Sequence, residues 1–179
     1  MKRIKFFLLI FLPLCSGCDF MNYLAIQNNS DYDIFVIDPD KLNENYTVYP
    51  DTLLPDISSS DISMYRCTPG EKTFVIEHLN SSEYIERLYK SLHTDTLSFF
   101  IIKATDIDEY SYYNVRQKYL ILQRYDMGIQ QAIKYYNKEY FDNSQRRCLF
   151  FPPTEEMKDI KMWPPYGTYD EKGNKIRDY

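Results

Sequence analysis

The first apolar runs of the folded region are short and strand-like. Tyr23 to Asn28 (YLAIQN) and Tyr32 to Ile37 (YDIFVI) flank Asn28-Asn29-Ser30-Asp31, which has turn chemistry because Asn and Asp tolerate the left-handed region. The pattern predicts a β-hairpin. In the second run Ile34 and Val36 fall on one face and Phe35 and Ile37 on the other, so this strand should be covered on both sides. Residues 38–61, with three Pro, many Asp and Asn and a Ser run, read as loop, with a short extended piece at Tyr46 to Tyr49. Ile62 to Cys67 and Thr73 to Glu77 are weaker strands about a Pro69-Gly70 turn.

A helical period then takes over. Ile85, Leu88, Tyr89 and Leu92 follow the i, i+3, i+4, i+7 spacing of an amphipathic helix over 82–92, led by Asn80-x-x-Glu83 as a capping-box variant. Thr96 to Ala104 (TLSFFIIKA) is the strongest strand: Leu97, Phe99 and Ile101 face one side, Phe100 and Ile102 the other, which places it at the centre of a sheet. Asp106-x-x-Glu109 is expected to cap a helix over 107–118, and Leu120 to Tyr125 to form another strand or to end that helix. Asp126 is expected to cap a third helix carrying Ile129, Ala132, Ile133 and Tyr136. Cys148 to Phe151 should pair onto the sheet. Beyond it, Pro152-Pro153 and Pro164-Pro165 favour extended chain wrapping the domain, and 169–176 has the punctuation of a small hairpin. The expected fold is therefore a single α+β domain: a mixed or antiparallel sheet of about five or six strands with about three helices packed on it.

The N-terminus has a different pattern. Lys2, Arg3 and Lys5 precede an apolar stretch from Phe6 to Leu14, far below the roughly 20 residues a spanning helix needs. It fits the h-region of a secretory signal peptide. Cys15-Ser16-Gly17-Cys18 follows, and small residues directly before a cysteine resemble the lipobox of bacterial lipoproteins, with Cys15 standing where that family prefers an aliphatic residue. The resemblance implies cleavage after Gly17 and lipidation of Cys18, whose acyl chains add about 0.8 kcal/mol of membrane affinity per buried methylene. The expected organisation is a lipoprotein signal peptide over 1–17, a lipidated tether over 18–22, a globular domain over 23–151 and a Pro-rich extension over 152–179. Removing residues 1–17 takes away three of the 21 Lys and Arg and none of the 26 Asp and Glu, so the net charge moves from −5 to −8. An acidic domain of this kind disfavours nucleic acid as a partner and is repelled by anionic headgroups.

Export also bears on Cys67 and Cys148. In an oxidising compartment they could close a disulfide across 81 residues, contributing up to roughly 4 kcal/mol; the competing reading is two buried thiols. Neither has the CxxC spacing of a redox or zinc site.

Catalytic candidates are few. His78 and His93 are the two histidines; no G-x-S-x-G or HExxH accompanies them, and a lone loop histidine is more often a surface or capping residue. Asp38-Pro39-Asp40 and Asp106-x-Asp108-Glu109 lack a calcium-loop pattern, and the second suits a helix N-terminus. No cofactor, metal or catalytic residue is expected. Tyrosine is the unusual component, at 18 residues against one Trp, and eight of the 18 lie between 110 and 140. Two readings stay open for them. Tyr110, Tyr112, Tyr113, Tyr135 and Tyr136, with Trp163 and Tyr166, form a contact surface for a partner, or tyrosine fills a half-buried shell with its hydroxyl at the rim.

Asp95 to Ile101, Tyr119 to Asp126, the front strands and Tyr49-Pro50-Asp51-Thr52 together resemble a family of small uncharacterised Gram-negative lipoproteins. The resemblance spans most of the mature chain. It implies export and lipidation and carries no activity. Asp51-Thr52-Leu53 also looks like the Asp-Thr-aliphatic triplet that some such bacteria O-glycosylate, which makes Thr52 a candidate. The functional expectation is a non-enzymatic module of the cell envelope, held at the outer membrane by its lipid and facing periplasm or cell surface, which binds an envelope protein or a glycan. The alternatives are a small envelope hydrolase and a purely structural component.

Overall fold

The computed structural model describes residues 21–37, 54, 64–79, 82–91, 96–135, 137–138 and 148–178. Cys18 with the segment before it, Thr52, the Tyr46 to Tyr49 piece, Asp38 to Asp40, Asn80, His93, Tyr136 and Tyr140 lie outside these residues.

The chain is α+β, and its strands are divided between two sheets. In chain order the elements are β1 (Met21–Asn28), β2 (Ile34–Ile37), β3 (Met64–Cys67), β4 (Lys72–Leu79), α1 (Ser82–Ser91), β5 (Thr96–Lys103), α2 (Ala104–Lys118), β6 (Gln123–Gly128), α3 (Ile129–Tyr135), β7 (Asn137–Lys138), β8 (Leu149–Phe151) and β9 (Lys161–Trp163). A five-stranded sheet runs β3-β2-β5-β6-β9, antiparallel throughout. In the four-stranded sheet β1 pairs antiparallel with β4 and β7 and parallel with β8.

The period-2 pattern of β5 is realised as expected. Leu97, Phe99 and Ile101 enter a core shared with Leu24 and Ile26 of β1, Ile85 and Leu88 of α1, and Ala132 of α3. Phe100 and Ile102 enter a second core with Ile37, Leu54 and Val115, covered by α2. The five-stranded sheet is thus the middle layer of three, with the other sheet, α1 and α3 on one face and α2 on the other. A strand apolar on both faces can be satisfied only in such a layer.

The hairpin expected between Tyr23–Asn28 and Tyr32–Ile37 does not form: β1 and β2 belong to different sheets. The turn chemistry is real but serves a corner. Asn28 Nδ2 donates to the Tyr32 carbonyl at 2.8 Å and to the Cys67 carbonyl at 2.9 Å, while Asn28 Oδ1 accepts from the Ser30 amide and hydroxyl. One buried side chain thereby ties the corner to β3. The Pro69-Gly70 turn likewise passes the chain from β3 to β4 across sheets, with Gly70 at φ 81° and the Glu71 amide donating to the Thr68 carbonyl.

Two expected helix caps are corrected. Lys103 holds the N-cap position of α2 in extended geometry, and Asp106 sits inside the first turn, where its charge suits the helix dipole. The helix follows β5 directly and is broken at Ser111 (φ 63°, ψ 155°), where Asn114 Nδ2 donates to the Tyr110 carbonyl at 2.8 Å. Asp126 is a buried residue of β6 and caps nothing. At α3 the Gly128 amide instead donates to Gln131 Oε1 at 2.9 Å, the returning half of a capping box.

The 152–179 extension supplies β9 at a sheet edge and places Met157 and Ile160 in the main core. Its last turn, bridged at Tyr169 and Lys175, is fastened to the β1–β2 corner: Tyr32 Oη donates to the Gly173 carbonyl at 2.6 Å and the Asp31 amide to the Lys172 carbonyl at 3.1 Å. Gly173 has φ 83°, and a Cβ there would meet Ser30 Cβ at 2.7 Å and Tyr32 Oη at 2.9 Å. Gly173→Ala is therefore expected to cost about 2 kcal/mol, a fall of roughly 5 °C in Tm. Gly70→Ala is the control, because it has the same sign of φ but open space, and it should lose about half as much. Equal thermal shifts for the two would show that the turn is not seated on Ser30.

Candidate functional site

The structure divides the tyrosines into two populations. The first closes the core. Tyr89 Oη donates to the Met127 carbonyl at 2.7 Å, Tyr125 Oη to Phe150 at 2.6 Å, Tyr135 Oη to Glu156 at 3.0 Å, and Tyr169 Oη to Leu122. Each ring fills apolar space while its hydroxyl satisfies a backbone carbonyl of a segment distant in sequence, which a phenylalanine could not do. Tyr135 is 3% exposed and belongs here, so its expected place in a contact surface is corrected. The helix phase explains it: Ile129, Ala132 and Tyr135 turn inward in α3, and Ile133 turns out.

The second population faces solvent. Tyr113 is 68% exposed, Trp163 48%, Tyr110 43% and Tyr166 39%. Tyr112 is half-buried and packs on the α2 side of the five-stranded sheet, beside Tyr119. Three separate contacts occur in and beside this population. Lys118 Nζ lies 4.9 Å from the Tyr110 ring centre, Tyr119 follows Lys118, the Tyr119 and Trp163 rings are 5.7 Å apart, and Lys158 Nζ lies 5.3 Å from the Tyr166 ring centre. The backbone sets each position. Tyr119 terminates α2 in the left-handed conformation (φ 51°), which turns its ring toward β9. Trp163 is held by the pairing of β9 with β6. The strip so formed consists of three pairs: Lys118 and Tyr110 on α2, Tyr119 and Trp163 between α2 and β9, and Lys158 and Tyr166 on the segments that flank β9.

Next to this strip is a buried polar cluster. Trp163 pairs with Arg124 and Lys161 with Asp126. Asp126 Oδ1 accepts from Arg124 Nε at 2.7 Å and from Ser98 Oγ at 2.6 Å, and the Arg124 guanidinium lies over the Phe100 ring at 5.4 Å. Arg124 and Asp126 are 3% and 6% exposed. This cluster was not singled out from the sequence, although a signal existed: in Gln123-Arg124-Tyr125-Asp126-Met127 the two charges stand two apart in a strand and so share a face.

A groove of about 830 Å³ lies between α1 and α3, lined by Glu86, Tyr89, Lys90, Ile129, Gln130 and Ile133 among others. It brings one carboxylate and one ammonium together, one helical turn apart on α1. Among the described residues no group of three or more His, Cys, Asp or Glu could hold a metal ion.

Cys67 and Cys148 are both free and buried, so the disulfide reading is corrected. Cys67 packs in the main core, whereas Cys148 packs with Ala25 on the opposite face of β1. The four-stranded sheet separates them. Cys67 Sγ donates to the Glu71 carbonyl at 3.3 Å, and burial pushes both thiols up, holding them protonated. No helix among the described residues is long and apolar enough to cross a membrane. No protein-family model, curated protein or solved structure matches this chain.

Proposed function

We propose that this protein is a lipid-anchored bacterial envelope protein, attached through Cys18, that binds an envelope protein or a glycan through the strip formed by Tyr110, Tyr119, Trp163 and Tyr166. The observation that carries the reading is the exposure of Tyr110, Trp163 and Tyr166, with Lys118 over the Tyr110 ring, Lys158 over the Tyr166 ring and Tyr119 against Trp163. Aromatic side chains offer large contact area at low entropic cost, and their faces stack on sugar rings as readily as on protein side chains. The charged n-region, the short apolar run and the lipobox-like residues before Cys18 support the anchor.

The test is binding of the full chain to purified sacculi, lipopolysaccharide and envelope protein fractions, with and without Trp163→Ala. A tryptophan at the centre of such a contact contributes about 2 kcal/mol, so the variant should bind roughly thirty-fold more weakly while melting at an unchanged temperature. A binder that the substitution leaves unaffected would remove the strip from the interface. Mass spectrometry of the mature N-terminus checks the anchor, and an unmodified Cys18 rejects it.

A further inference from the structure

We propose that the groove between α1 and α3 binds a short peptide with free ends, of dipeptide size and with an apolar side chain. The site uses neither the anchor nor Trp163. Its two walls differ in chemistry. On α1, Glu86 and Lys90 stand at i and i+4, so both charges lie on one stripe of the helix with their Cβ atoms about 6 Å apart. On α3, Ile129 and Ile133 stand at the same spacing, and Ile133 is 38% exposed. Tyr89 also lines the groove, and Gln130 adds an amide. The walls are fixed in advance. Tyr89 Oη donates to the Met127 carbonyl, which pins α1 to the end of β6 and leaves the ring for the groove. Gln131 accepts from the Gly128 amide and donates to the Asp159 carbonyl, which holds the start of α3. A groove held in this way loses little conformational freedom when it binds.

Glu86 and Lys90 select the ligand by charge. Both are exposed, and among the described residues no ion pair joins them to each other or to a third group. A ligand with a single charge meets one partner and one repulsion there. A ligand with both charges meets two partners, its ammonium at Glu86 and its carboxylate at Lys90, so the groove favours a zwitterion over an ion of either sign. Spacing then sets the size. The ends of an extended dipeptide are roughly 7 Å apart, close to the separation of the two Cβ atoms, and those of a single amino acid about half that. The lining residues cover Glu86 to Lys90 on one wall and Gly128 to Ile133 on the other, roughly 6–8 Å of helix, which is too short to seat a docked helix. Successive side chains of an extended chain point to opposite faces. With the peptide backbone along α1, one side chain therefore turns toward Ile129, Ile133 and the Tyr89 ring. The groove volume of about 830 Å³ is in the range of small-ligand sites.

The test is calorimetric titration of the full chain with leucyl-leucine and with its N-acetylated, C-amidated and doubly capped forms. Leucyl-leucine should bind with a dissociation constant of about 1 mM or tighter. Each single cap removes one charge and should weaken binding about tenfold. Glu86→Gln should abolish the penalty for acetylation and leave that for amidation, and Lys90→Gln should do the reverse. Both positions are exposed on a helix surface, so the variants should melt at an unchanged temperature. Ile133→Ser should weaken all the forms alike, by a few-fold, through loss of the apolar wall. Equal affinity for the free and capped peptides, or penalties that survive in both charge variants, overturns the proposal. So does the absence of saturable binding with leucyl-leucine at about 10 mM. Saturable binding of N-acetylglucosamine in place of the dipeptide also overturns it, and would assign the groove to a sugar.

Discussion

Replacing Asp126 by alanine is expected to destabilise the protein by about 3–5 kcal/mol, a large share of the total for a domain of this size. The Asp126 carboxylate is 6% exposed and accepts hydrogen bonds from both Arg124 Nε and Ser98 Oγ. Removing it takes away the carboxylate that the buried Arg124 Nε bonds and the acceptor of the Ser98 hydroxyl. That desolvation penalty, rather than the attraction between the charges, sets the size of the loss. The double replacement Arg124→Met/Asp126→Leu removes both charges and keeps apolar volume beside Phe100, so it should cost less than the single change despite altering more atoms. Urea unfolding of wild type, single and double variants reads this directly. A single variant no worse than the double would mean that water reaches Arg124 and that the cluster is not sealed. Arg124 also pairs with Trp163, so local loosening in the single variant should appear as a changed Trp163 emission before global unfolding.

What the sequence made legible follows from the range over which each signal acts. The face assignment of Thr96 to Ala104 was correct to the residue, because a strand apolar on both sides has few places to go and each side chain reports its own layer. The helix over 82–92 was found for the same reason: Ile85, Leu88 and Tyr89 carry their own period. The expected hairpin does not form, because Asn28-Asn29-Ser30-Asp31 has the same chemistry whether it reverses a strand within one sheet or turns a corner between two. What decides is that the Asn28 amide reaches the Cys67 carbonyl, 39 residues away. Asp126 has the local pattern of a cap, a short acidic residue before an amphipathic period. Its true partners, Arg124 and Ser98, reach it through the β5–β6 register.

The exposure of the aromatic side chains is legible in part. Tyr110, Tyr113, Trp163 and Tyr166 are exposed, and Tyr112 is half-buried. Tyr135 failed because α3 begins at Ile129 in a phase that turns it inward, and one residue of phase moves a side chain by about 100°. The contact of Tyr119 with Trp163 has no local signal, since the rings meet only because the chain leaves α2 through a left-handed residue. The half-buried-shell reading therefore describes Tyr89, Tyr125, Tyr135 and Tyr169, while Tyr110, Tyr113 and Tyr166 face solvent.

The buried tyrosines make the protein sensitive to alkali. Burial raises the phenols of Tyr32, Tyr89 and Tyr125, with the charges near Tyr32 adding to its shift, and pushes Tyr169 up to about 12. An unfolded tyrosine ionises near 10. Below that pH the phenols are neutral in both states and their contribution to stability is intact. Above it the unfolded chain releases protons that the folded chain retains, so stability falls as pH rises. Tyr89 and Tyr125 are 8% and 0% exposed and should each lose the full linkage slope of about 1.4 kcal/mol per pH unit, whereas half-buried Tyr32 and Tyr169 lose less. The losses of this pair add, which makes the protein unfold at alkaline pH in a cooperative step. Urea midpoints measured at half-unit intervals from pH 8 to pH 12 should be flat to about 9.5 and then fall steeply. Tyr125→Phe gives up the bond to the Phe150 carbonyl, about 1 kcal/mol at neutral pH, yet should flatten the alkaline fall by roughly half of the pair's share. Its stability curve should therefore converge on that of the wild type as pH rises. Parallel curves for the two proteins would mean that Tyr125 ionises in the folded state, and that its ring does not close the core against water.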